Sequence, residues 1–112
     1  MAEGNTTVPT SREDFNNLNN RFKFLNVGSS KTITVRLVDT TYIFLYGRFG
    51  YNSANLSMCI ISHGYSSPND AFCKNFGDEA LTVSCENHVI TITFPLTYAQ
   101  VYMVASNPIT IL

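Results

Sequence analysis

From residue 31 onward, apolar and polar residues alternate with a period of two, the spacing of strands with one face buried. In KTITVRLV (31–38), Ile33, Val35 and Leu37 fall on one side, with Thr32, Thr34 and Arg36 on the other. TYIFLY (41–46) is apolar throughout, which predicts a central strand buried on both faces. NLSMCIIS (55–62) predicts a further strand, and a polar loop containing SSPND follows from Gly64 to about Asp78. ALTVSC and HVITITF flank Glu86 and Asn87 as a tight hairpin, with Leu81, Val83, Ile90, Ile92 and Phe94 directed inward. QVYMVA (100–105) and ITIL (109–112) close the series. Seven short strands at this spacing predict an all-β fold, an antiparallel β-sandwich of jelly-roll-like form.

The stretch before residue 31 has a different period. In SREDFNNLNNRFKFL (11–25), Phe15, Leu18, Phe22 and Leu25 are spaced three, four and three apart, as on one seam of an amphipathic helix. Ser11 and Asp14 suit a capped start, Arg21 and Lys23 suit the negative end of the helix dipole, and Asn26 and Gly28 suit its end. The expected organisation is a flexible arm over 1–10, a short helix within 11–28 and the sandwich over 29–112. Burying each seam residue contributes about 1.5–3 kcal/mol, against an ordering cost of about 1–2 kcal/mol for every residue fixed. The helix therefore needs a surface to dock on. The same seam on other copies of the chain would make it an oligomerisation segment.

Composition narrows the classes of function. Only 13% of the 112 residues are charged, and the net charge is −1 with no basic cluster, which argues against nucleic-acid binding through counterion release. The opening MAEGNTTVPTSRED has no apolar run of the kind a secretory leader carries, so no signal peptide is expected. No apolar stretch approaches the ~18 residues of a spanning helix, and no membrane insertion is expected. Cys59, Cys73 and Cys85 are odd in number and irregularly spaced, which argues against a disulfide scaffold and favours folding in a reducing cytoplasm.

Candidate chemistry is sparse. Cys59, His63, Cys73, Cys85 and His88 are ligand types for zinc, but no C-x2-C pair organises them, so no metal or other cofactor is expected. No nucleophile sits in a recognisable turn with an oxyanion hole, and the chain reads as non-enzymatic, with a small hydrolase as the remotest alternative. The connection YGRFGYNSAN (46–55) is punctuated by Gly47 and Gly50. Either it presents Arg48, Phe49, Tyr51 and Asn52 outward, aromatic rings for sugar faces and polar groups for hydroxyls, or Phe49 and Tyr51 fold under and close the end of the core. Tyr65 and Tyr98 are similar candidates.

The Thr-, Ser- and Asn-rich β-region behind a helical lead-in, closing in HVITITFPLTYAQVYMVASNPITIL, resembles the distal tips of bacteriophage appendage proteins: tail fibres, head fibres and receptor-binding proteins. The resemblance spans residues 11–112 and is one of architecture. It implies a homotrimer in the virion, assembled in the bacterial cytoplasm, whose loops contact a host surface glycan or envelope protein. The alternative is a monomeric carbohydrate-binding module or lectin.

Overall fold

A computed structural model describes residues 21–50, 57–77 and 79–112. Among these, the chain forms nine strands and no helix: β1 Phe22–Asn26, β2 Thr32–Leu37, β3 Thr41–Arg48, β4 Ser57–His63, β5 Phe72–Phe76, β6 Thr82–Glu86, β7 Val89–Thr93, β8 Gln100–Ala105 and β9 Ile109–Ile111. They make two sheets, a five-stranded one in the order β1-β8-β3-β4-β5 and a four-stranded one in the order β6-β7-β2-β9. Every paired neighbour is antiparallel.

The period-two pattern dictates what lies inside. Ile43, Leu45, Cys59, Ile61, Val101 and Met103 from the first sheet meet Val35, Leu37, Ile90, Ile92 and Ile109 from the second in one buried core. Leu81 and Phe94 join them as expected, while Val83 is half-buried at the margin. The β6–β7 hairpin turns at Asn87 and His88, whose φ values of 51° and 66° are the left-handed pair of a type I′ connection. Gly47 is required within β3. Its φ is 144°, and a Cβ there would stand 2.5 Å from the Gln100 carbonyl oxygen and 3.0 Å from the Val101 Cα.

The structure corrects three expectations. Residues Phe22–Asn26, assigned to the end of the helix, are a strand paired with β8 from Phe22↔Val104 to Asn26↔Gln100. Phe22 and Leu25 therefore point to opposite faces and share no seam; Phe15, Leu18 and the rest of the expected helix lie outside the described residues. The physical reason is the partner. The edge of β8 satisfies the β1 backbone, and further bonds run from Ala105 N to Arg21 O and from Val27 N to Ala99 O. An Asn-rich helix would have had only its own weak propensity. Secondly, part of the expected polar loop is strand β5, which pairs with β4 from Met58↔Phe76 to Ser62↔Phe72. Thirdly, β3 is buried on one face only: Ile43 and Leu45 are interior, whereas Tyr42 and Phe44 are exposed.

Candidate interaction surface

The outer face of the five-stranded sheet is apolar across its whole width. Register places Phe24, Tyr102, Tyr46, Met58 and Phe76 in one row, one residue from each strand. The next row is Phe22, Val104, Phe44, Ile60 and Lys74, and beyond it lie Tyr42, Ser62 and Phe72. Rings lock neighbouring strands together. Across strands, Phe24 lies 4.9 Å from Tyr102 and Tyr102 stacks on Tyr46 at 5.4 Å, while within β3 Tyr46 stacks on Phe44 at 5.3 Å. Such cross-strand pairs stabilise the sheet, but they leave their rings wet, with Phe24 55% exposed, and beyond the pairs Phe72 is 67% exposed and Tyr42 57%.

The four-stranded sheet shows what an ordinary solvent face looks like in this chain. Its outward positions are Thr32, Thr34 and Arg36 on β2, Val89, Thr91 and Thr93 on β7, Thr82, Ser84 and Glu86 on β6, and Thr110 on β9, with Val89 alone apolar among them. The two outer faces thus differ in kind. A fully exposed large side chain offers about 200 Å². On that scale the nine exposed large hydrophobic residues of the first face, Phe22, Phe24, Tyr42, Phe44, Ile60, Phe72, Phe76, Tyr102 and Val104, leave roughly 800 Å² of apolar area in water. Monomeric proteins rarely expose a continuous patch of that size.

The residues expected to form a binding loop are divided. Phe49 is fully buried, edge-on to Phe94 at 5.6 Å, so it closes the core and is not offered to a ligand. Tyr51 and Asn52 lie outside the described residues. Arg48 is half-buried at the end of β3 and donates to the Gln100 side-chain oxygen at 2.9 Å. With Asn26, Gln100 and Tyr98 it lines an open cleft of about 310 Å³ at one end of the aromatic face. Tyr65 is far from Arg48 in its contacts: its ring lies flat on His88, with centroids 4.3 Å apart.

Beneath Tyr65 the fold gathers side chains that are scattered in sequence. His63, at the end of β4 and only 1% exposed, has its Nδ1 2.7 Å from the Asp70 carbonyl oxygen and its Nε2 2.9 Å from Nδ1 of His88. A carbonyl only accepts, so His63 Nδ1 carries the hydrogen and donates; between two neutral rings His63 Nε2 then accepts from His88 Nδ1, which leaves the lone pair of His88 on Nε2. Cys85 donates to the Pro68 carbonyl at 3.4 Å. Burial raises its thiol above the ordinary value, and the Asp70 charge adds to this, which opposes a thiolate nucleophile. Among the described residues no group of three or more His, Cys, Asp or Glu side chains is placed to hold a metal ion. A second pair, Cys59 and Cys73, brings its sulfurs to 3.0 Å. Burial, followed by the neighbouring Cys73, drives the Cys59 thiol strongly upward.

No protein-family model, curated protein or solved structure matches the chain.

The aromatic face escaped sequence reasoning because it is spread over five strands, two of which were not expected. Its trace in the sequence is the reversed alternation of FKF (22–24) and FCKNF (72–76), with the large rings on one parity and Lys23 or Cys73 and Asn75 on the other.

Proposed function

We propose that this chain is a non-enzymatic structural module that assembles with copies of itself through the outer face of its five-stranded sheet. The two sheets are the layers of an antiparallel β-sandwich. Pairing of β1 with β8 and of β2 with β7 wraps the chain in a jelly-roll-like way, while β3, β4 and β5 run as a meander. The observation that carries the reading is the apolar face itself. Its roughly 800 Å² equals the share that each partner contributes to a stable protein–protein interface.

A second copy is the occupant that the face fits best. A two-fold axis sets the same patch of two chains against each other, so one apolar face is enough for a closed dimer with no second surface involved. Lys74 at one edge and Arg48 at the other are its only charged positions among the paired rows, as expected of an interface with an apolar centre and polar rim. A virion appendage tip, the class that the sequence resembles, is a setting in which a small sandwich works as a repeated, tightly packed subunit. The trimer of that resemblance would divide the face between two neighbours.

Light scattering on the full chain at micromolar concentration tests the assembly. The expected result is a dimer, converted to monomer by Ile60→Glu with an unchanged circular dichroism spectrum. A monomeric parent protein refutes the reading; a trimer that Ile60→Glu dissociates keeps the face and replaces the two-fold.

A monomeric carbohydrate-binding module is the second reading, favoured by the cleft in which Tyr98 stands beside the Arg48, Asn26 and Gln100 side chains. Binding on a glycan array that is lost in Tyr98→Ala, by a protein that scatters as a monomer, supports it; equal binding by the variant removes it.

A further inference from the structure

We propose that Cys59 and Cys73 are a disulfide-forming pair that staples the edge strand β5 to β4 when the protein meets a low-molecular-weight disulfide. The inference is independent of the assembly reading and applies equally to a monomer.

The geometry is a diagonal cross-strand pair. Cys59 lies opposite Asn75 and Cys73 lies opposite Ile61, so the two cysteines project from the same inner side of neighbouring antiparallel strands. Their sulfurs are 3.0 Å apart, and a disulfide requires an approach closer by about 1 Å. β5 can supply that movement, since β4 is its only hydrogen-bonded neighbour in the sheet. Cys85 is outside the pair, its thiol occupied with Pro68 O and the His63 ring. The odd count of cysteines therefore conceals one matched pair and one separate thiol.

Burial assigns the order of events. Cys59 is fully buried, whereas Cys73 is partly exposed on the edge strand. Cys73 loses its proton and attacks one sulfur of the small disulfide; the S–S bond of the reagent breaks and its departing thiolate takes up the proton. Cys59 then loses its proton and attacks Cys73 Sγ, the mixed disulfide breaks, and the second reagent thiolate is protonated and leaves. Two protein thiols are oxidised and one reagent disulfide is reduced to two thiols. Asn75, whose Nδ2 approaches Cys73 Sγ at 3.6 Å, stands beside the sulfur that carries the intermediate.

The full chain is incubated with oxidised glutathione at mildly alkaline pH, alkylated, digested without reduction and mapped by mass spectrometry. The expected product is a Cys59–Cys73 cross-linked peptide lighter by two hydrogens, with Cys85 alkylated. The ring so closed contains about 15 residues, which corresponds to a rise in Tm of roughly 10 °C over the reduced protein. Cys59→Ser is expected to stop at a glutathione adduct on Cys73. A stable adduct on Cys73 in the parent protein, a bridge to Cys85 or between chains, or no change in Tm on oxidation overturns the proposal. The parent protein supplies all three of these readings, so the conclusion does not depend on the variant folding.

Discussion

Phe24 and Tyr102 stand side by side on adjacent strands, their ring centroids 4.9 Å apart and their planes tilted by 50°. β1 contributes the first ring and β8 the second, so the contact joins the first described strand to the last but one. It also sits in the row that crosses all five strands. Phe24→Ala is expected to lower the stability of the isolated fold by only about 0.5–1.5 kcal/mol, the usual worth of an aromatic pair. In the two-fold dimer both copies carry the truncation, and at about 1 kcal/mol for each half-exposed ring on this edge strand the two together cost about 2 kcal/mol. Dilution-dependent scattering should therefore show a dissociation constant raised about 30-fold, while thermal unfolding of the monomer changes little. A loss confined to unfolding would place the ring in sheet packing alone.

Phe49 separates core from surface. Because it is fully buried against Phe94, Phe49→Ala should cost about 3–5 kcal/mol. Urea denaturation measures the shift of the midpoint. A variant as stable as the parent would return Phe49 to the exposed loop that its neighbours in sequence suggest.

His63 holds two partners from a nearly dry position. Its removal in His63→Ala leaves the Asp70 carbonyl and the His88 Nδ1–H without the bonds they make at 2.7 and 2.9 Å, at a cost of about 1–3 kcal/mol for each group that stays buried. The Tyr65 stack on His88 should loosen with it, since the His88 ring loses its anchor. Chemical denaturation gives the first effect, and a change in the Tyr65 ring resonances reports the second.

Alkaline pH should weaken the fold through Cys59. Its folded thiol is held above the ordinary value of 9.0 by burial, so it remains protonated where the unfolded chain has already lost the proton. The contribution is complete below the unfolded value and disappears as pH rises toward the folded one. Between pH 9 and 10 the parent protein is expected to lose about 1 kcal/mol more than Cys59→Ala under reducing conditions. Parallel stability curves for the two proteins would contradict the assignment.

Much of the β-architecture was legible in the alternation of residues. The inward set Val35, Leu37, Ile90, Ile92 and Phe94 could be named from parity alone, and the hairpin near Asn87 from its position between two alternating runs. The three-four-three spacing ending in Phe22 and Leu25 was equally regular, yet those two residues point to opposite faces of a strand. A short apolar spacing is compatible with either period, and the free edge of β8 decided between them. The candidate site was barely legible. Phe72 and Phe76 resembled isolated rings in a polar loop until β5 paired with β4.

The sequence by itself determined the class of the fold, most of its strands and the identity of its core, because burial on one face of a strand leaves a local period-two record. Only the tertiary structure decided which outer face is aromatic and which is lined with threonine, that Cys59 meets Cys73, and that His63 meets His88. Those relationships depend on which strands become neighbours and in what register. Hydrogen bonding and burial between distant segments select that arrangement, and a local period carries no trace of it.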